Sequence, residues 1–534
     1  MDFVVLLHIF VFAPILFCIT FLSLPLPSPT YFLAWKSQLS QPVADLVLRN
    51  GVIYTSDDSL PFADSMAVAN GRVLCVGNRS FVQEFEGYGT QVLDLRGKVV
   101  VPGFIDSHVH FIDGGLQMMQ VKLRGVNKKE EFIRRIKDAA QSTKQGSWIL
   151  GGGWNNDLWG GDLPAASWIN DVTPNNPVWL SRVDGHMGLA NSVALTLAGI
   201  TNLTDDPRGG TILRTANGEP TGVLIDSART LVTSQIPEDS VDDRREALHR
   251  ASNLALTRGV TTVVDMGRYY PGFSTELSWD DFSDVYQWAN SMSKMKIRVC
   301  LFFSMETWSR LVGVINRVGH ALSEWIYIGG VKAFADGSLG SNSALLYEPY
   351  VDDPDNYGLQ VTELEALLNM TTESDLNGLQ VAIHAIGDKA NDLILDMYGL
   401  VASTNGMRDR RFRIEHAQQL AAGTPGRFGK QRVVASMQVV DINPLSGIKT
   451  AMKRRPPNWQ SAWIPSECIS LDDAIKAYTI SAARASFLDK DLGSLSPGKL
   501  ADFVILSTDS WKDFAEDASA NVEETYVSGV RAYP

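Results

Sequence analysis

The run from Val99 to His110, VVVPGFIDSHVH, limits what this chain can fold into more than any other stretch. It reads as an apolar, β-branched strand that passes a Pro-Gly pair and ends in two histidines one residue apart. Side chains two positions apart leave a strand on the same face, so His108 and His110 can both reach one metal ion. A bare His-x-His pair is common and carries little information by itself. Its position at the end of a buried strand is what gives it weight, and strand ends of that kind recur. Leu379 to Asp388 (LQVAIHAIGD) ends a strand in His384, and Phe412 to Gln418 (FRIEHAQ) ends another in His416. Ile328 to Ser341 (IGGVKAFADGSLGS) is an apolar strand bearing Lys332, followed by a Gly/Ser loop.

The whole chain has room for such an arrangement. Its 534 residues exceed one ordinary domain and suit a (β/α)8 barrel with additions. With 60 acidic against 47 basic side chains the net charge is −13, which argues against a nucleic-acid binder. Cys18, Cys75, Cys300 and Cys468 are too scattered for a disulfide framework or a thiolate zinc site.

Phe3 to Leu24 holds no charged residue, and about 20 apolar residues span a bilayer as a helix. The basic start and small-residue cleavage site of a secretory signal are both missing. Residues 1–43 are therefore expected to be a membrane anchor, with a removed signal segment as the alternative, followed by a linker. Either places the protein at a membrane or in the secretory pathway, with the endoplasmic reticulum as the expected compartment. Lys36 favours a cytosolic downstream side. Asn78-Arg79-Ser80, Asn202-Leu203-Thr204 and Asn369-Met370-Thr371 fit glycosylation acceptors in a lumen, so the side stays open. Short strands then dominate residues 44–98, and Asp502 to Leu506 and Glu524 to Gly529 continue them at the other end. A small β-sandwich domain built from residues 44–98 and 495–534 is expected around a central α/β unit, 99–494.

With PGFIDxHxH ending one strand, lysine on a second and histidines ending two more, the chain resembles the metal-dependent amidohydrolase superfamily. Its KAFADGSLGS, HAIGD and RIEHAQ wording is similar to the YtcJ-like subgroup. The resemblance implies an α/β fold, a (β/α)8 TIM barrel of the amidohydrolase type, with an insertion at about 145–235. It implies one or two divalent metal ions, Zn2+ being the expected kind. His108 and His110 would hold one, His384 and His416 a second, with Lys332 carboxylated and bridging. His186, Trp154 and Asp336 would face the substrate. The implied reaction is hydrolysis of a carbon–nitrogen bond in a small, non-peptide, amide-like molecule by a metal-activated water. Oligomeric state is not legible.

One part of the family pattern is missing. The resemblance calls for an Asp at the end of the eighth barrel strand, in a Ser-Asp-x-Pro-Val motif, to orient the water and move its proton. Here the seventh strand, Arg432 to Gln438, runs at once into Val439-Val440-Asp441-Ile442-Asn443-Pro444-Leu445. Between that join and Leu471 the sequence reads as holding neither another apolar strand nor a helix of full length. A barrel of ~250 residues gives each βα unit about 30, and one such unit is absent. Asp441 is the nearby substitute for the missing acid. Two expectations follow: an amidohydrolase of impaired activity, or a non-catalytic member that signals or scaffolds through binding. A splice variant or an error of gene assembly would produce the same join.

Overall fold

The computed structural model describes residues 42–183, 187–207, 210–269, 274–339, 343–351, 353–437, 442–455 and 459–534. The apolar run Phe3–Leu24 lies outside them. Among the described residues no helix is long and apolar enough to cross a membrane.

Seven strands make the central sheet: β1 (Phe104–Val109), β2 (Val260–Asp265), β3 (Arg298–Ser304), β4 (Ile326–Phe334), β5 (Gln380–Ala385), β6 (Arg413–His416) and β7 (Val434–Ser436). They lie in sequence order and each runs parallel to the next. Runs such as VTTVVD, RVCLFFS and QVAIHA are buried at every position. That is the signature of parallel strands covered on both faces. Phe104, Val263, Leu301, Val331, Ile383 and Ile414 pack outward into the main core, under the surrounding helices. Ile105, Val264, Cys300, Phe302 and Ala382 turn inward, where Leu488, Leu492 and Leu500 plug the barrel. The sheet is an almost closed TIM-type barrel.

The closure fails between β7 and β1, which do not pair among the described residues. In place of an eighth strand, the Tyr478 carbonyl accepts the Ile105 amide at 2.7 Å. The chain from β7 to that point forms α1 (Pro444–Lys453) and α2 (Leu471–Ala477), and α3 (Ile480–Ala485) follows. The ten-residue α1 corrects the sequence reading, which expected no full helix here. Asn443 caps it by accepting the Ser446 amide, and Pro444 opens it, a start signal outweighed by the search for an apolar period. No strand lies between β7 and α2 among the described residues.

Two boundaries also move. The run 99–110 is not one strand: Val99–Pro102 belongs to the terminal sheet, between Val52–Tyr54 and Phe503–Leu506, and β1 starts after Gly103. A Cβ on Gly103 would stand 2.7 Å from Thr261 Cγ2, so only glycine fits where the chain leaves one sheet for the other. The insertion starts earlier than expected, because Val121–Lys122 pairs with Ile149–Trp154 in a separate six-stranded sheet that ends with Pro220–Asp226.

Both chain ends build the sandwich. Its four-stranded sheet holds Leu46–Arg49, Ser65–Ala69, Arg72–Gly77 and Gln91–Asp94. The six-stranded partner includes Val99–Pro102, Phe503–Leu506, Val522–Val527 and Val530–Tyr533. Leu48, Ile53, Met66, Val100, Phe503 and Ile505 fill the space between them. Arg298, fully buried at the start of β3, reaches out to Asp502 at 3.0 Å and Ser528 at 2.6 Å, locking the barrel to that terminal layer.

Candidate metal centre

Four of the five expected ligands are imidazoles at the carboxyl ends of β1, β5 and β6, the end where such barrels place their chemistry. Ring centroids stand 5.6 Å apart for His108–His110, 5.2 Å for His108–His416 and 4.4 Å for His384–His416. Imidazoles that hold one ion at about 2.0–2.1 Å from nitrogen have rings roughly 5 Å apart. His416 reaches the group by a backbone device. Arg413 and Glu415 face the barrel interior, and alternation alone would send His416 to the opposite side. A φ of +76° at His416, followed by +44° at Ala417, turns the ring back toward His108 and His384. Positive φ at a non-glycine costs of order 1–3 kcal/mol, a strain typical of functional positions.

Hydrogen bonds set the tautomers. His110 Nδ1 donates to the Gly267 carbonyl at 2.6 Å, and His108 Nδ1 to Glu415 Oε2 at 2.6 Å. Both partners can only accept, so the lone pair of each ring is on Nε2. His384 is the reverse: Nε2 donates to the Gly337 carbonyl at 2.9 Å, which places its lone pair on Nδ1. Burial pushes His108 down to about 3, against the pull of Glu415, and His110 down to about 4. Burial, with Lys332 nearby, holds His384 well below the ordinary histidine value. Neutral imidazoles are the form that binds metal.

Lys332 lies on β4 among these rings, fully buried, with its ammonium 4.4 Å from the Phe334 ring centroid. Among the described residues its Nζ has no hydrogen-bond partner. Burial lowers its pKa from 10.5 to about 8. Among the described residues, no three His, Cys, Asp or Glu side chains converge at ligand distance. Lys332 instead lies close enough to His108, His110 and His384 for its charge to bear on all three. An orphaned, partly neutral amine between neutral imidazoles lacks an anion and a cation, and a lysine carbamate with a divalent ion would supply both.

Two of the other expected positions, Trp154 and Asp336, are among the described residues. Trp154 is fully buried in the core of the insertion and its indole donates to the Leu180 carbonyl at 2.8 Å, so it presents no surface to a substrate. Asp336 is buried and accepts the amides of Ile386, Gly387 and Leu345 at 2.8–3.0 Å. It fastens the loops after β4 and β5, and its Oδ1 also stands 3.6 Å from His384 Nε2, at the edge of the centre. His186 and Asp441 lie outside the described residues. Sequence reasoning passed over Arg413 and Glu415. Two opposite charges at i, i+2 in a strand otherwise bound for a barrel interior were the available signal. Burial would raise the Glu415 carboxyl, but Arg413 and His108 together hold it well below the usual range.

Comparison with known proteins agrees with this geometry. The sequence model described as "Amidohydrolase family" matches residues 91–442 and 439–533, two stretches that overlap at 439–442. Protein LONG AFTER FAR-RED 3 of Arabidopsis thaliana is 58% identical, covering 98% of each chain. That alignment runs over 572 positions against 534 residues here, so the relative holds some tens of positions without a counterpart. N-substituted formamide deformylase of Arthrobacter pascens is 28% identical over 92% of this chain and 98% of its own length. Among solved structures, an uncharacterized metal-dependent hydrolase from Pyrococcus horikoshii superimposes with a TM-score of 0.70 at 28% identity, covering 87% of this chain and 97% of that one. Its fold, its strand-end histidines and nearly its whole length thus agree on one ancestry, and the chain belongs to the amidohydrolase family.

Proposed function

We propose that this chain hydrolyses a carbon–nitrogen bond in a small, non-peptide amide, with divalent ions held by His108, His110, His384, His416 and a carboxylated Lys332. Lys332 is the observation that carries the reading. At a pKa near 8 a useful fraction of the amine is neutral at physiological pH. Its lone pair can then add to the carbon of CO2, and loss of the nitrogen proton leaves a carbamate anion. Neutral nitrogen and anionic oxygen donors of this kind suit Zn2+. Bound in such a site, divalent ions lower the pKa of water toward about 7 and polarise a carbonyl. The chain's own part is to keep the imidazoles neutral, to fix their lone pairs, and to shield the amine from water. Moving the proton from water to the leaving amine falls to Asp441, the acid nearest the join in sequence.

A substituted formamide is the natural probe, given what the Arthrobacter relative is named for. The full chain should hydrolyse it only with a divalent ion present, and His108→Ala should abolish both ion binding and turnover. Asp441→Asn should lower kcat while leaving ion binding intact. One further reading is a metal-binding member that no longer catalyses. Ion binding with no turnover of formamides or other simple amides would select it. We also propose that Phe3–Leu24 anchors the protein in a membrane of the secretory pathway. Release of the full chain by alkaline carbonate would refute the anchor.

A further inference from the structure

We propose that Glu415 and Arg413 are positioning residues for the metal ligand His108, and that they do across the open seam of the barrel what the missing strand would have helped to do. Both side chains are fully buried in β6. The Arg413 guanidinium donates Nε to Glu415 Oε1 at 2.7 Å and Nη2 to Glu415 Oε2 at 3.3 Å. The same Nη2 donates to the Ser107 carbonyl in β1 at 2.7 Å and to Ser436 Oγ in β7 at 3.1 Å. Nη1 donates to Ser486 Oγ, just past α3, at 3.1 Å. One side chain thus bridges β1 and β7, the two strands that face each other across the open seam, and the segment that plugs the barrel. Glu415 passes this fixed position on, because its Oε2 accepts from His108 Nδ1.

The consequence is directional. A carboxylate on Nδ1–H fixes the tautomer, sets the ring plane and makes Nε2 a stronger donor to an ion. His110 draws on a backbone carbonyl of the loop after β2, so its orientation comes from the intact side of the barrel. His108 lies beside the gap and depends on the buried pair. Loss of the pair should therefore weaken ion binding even in a chain that still folds.

The test uses full-length metal-free protein and Co2+, with chelator competition for affinity and the visible absorption bands of the bound ion as a signature of ligand geometry. The inference rests on the metal-centre reading, and wild-type protein that takes up no Co2+ would refute that reading itself. With wild-type binding established, Glu415→Gln should weaken Co2+ affinity roughly 10–100-fold and alter the bands. Because that variant leaves the Arg413 charge without its partner, Arg413→Gln/Glu415→Gln is made beside it. The double variant should recover the melting temperature of the metal-free protein without recovering Co2+ affinity. Affinity within twofold of wild type, with unchanged bands, in either variant would overturn the positioning role. So would a double variant in which affinity returns together with the fold.

Discussion

Lys332 shows how one residue can be costly to the fold and necessary to the site. Its folded pKa of about 8 lies below the ordinary 10.5, so between those values the folded chain binds fewer protons than the unfolded one. Stability of the metal-free protein must then rise as pH climbs through that window. Below pH 8 the buried ammonium costs about 3 kcal/mol, taking 1.36 kcal/mol per pKa unit. Lys332→Met removes the charge, keeps most of the volume, and should melt higher than wild type at pH 7. The gap should close between pH 8 and 10.5, and the same variant should fail to bind divalent ions. Parallel melting curves at any pH would mean the ammonium is not buried as described. Asp336 gives a second prediction at this scale. Asp336→Ala strands three backbone amides and should destabilise by roughly 2–4 kcal/mol in a denaturant melt. Unchanged stability would show that other acceptors serve those amides. The histidines and the lysine were legible because strand-end position and residue type define them. The role of Asp336 was not, since its partners come from two loops distant in sequence.

Elements were legible where period and burial agree, and misread where a single residue decides a boundary. The buried runs of β2, β3 and β5 could hardly be anything but interior parallel strands. The break at Gly103 is invisible in an apolar pattern that continues on both sides of it. It follows from packing, because Thr261 and Asp502 press against the bare Cα. Gly103→Ala should therefore cost about 1–3 kcal/mol by overpacking. Trimming the neighbour in Gly103→Ala/Thr261→Ala should return part of that loss, as a double-mutant cycle would measure. Strict additivity of the two substitutions would mean that the glycine is needed for its backbone and not for space. α1 was missed for the opposite reason. Its Asn-Pro start is a strong local signal, but at ten residues the helix is short for a barrel helix, and a search for a full-length one passes over it.

At the scale of the whole molecule, the missing unit sets stability against function. A closed barrel has no edges, whereas among the described residues β1 and β7 each lack a strand partner on one side. Across the seam run the hydrogen bonds of Arg413, the His108–Glu415 bond, the Ile105–Tyr478 hydrogen bond and the plug after α3. Met437, Trp459, Trp463 and Ile469, all near the join, are left substantially exposed. Inserting the corresponding residues of the Arabidopsis relative between Gln438 and Val439 should close the sheet, cover that apolar surface and raise the melting temperature by several degrees, a 1 kcal/mol gain being worth about 2–4 °C in a domain of 150–250 residues. It should also return an acid for proton transfer, a contribution of about 10²–10⁴-fold, read as kcat on a substituted formamide at saturating divalent ion. Ion affinity should change far less than kcat, because none of the five proposed ligands lies in the missing unit. A gain in melting temperature with no gain in kcat would mean that Asp441 already moves the proton, and that the deletion costs this protein stability alone.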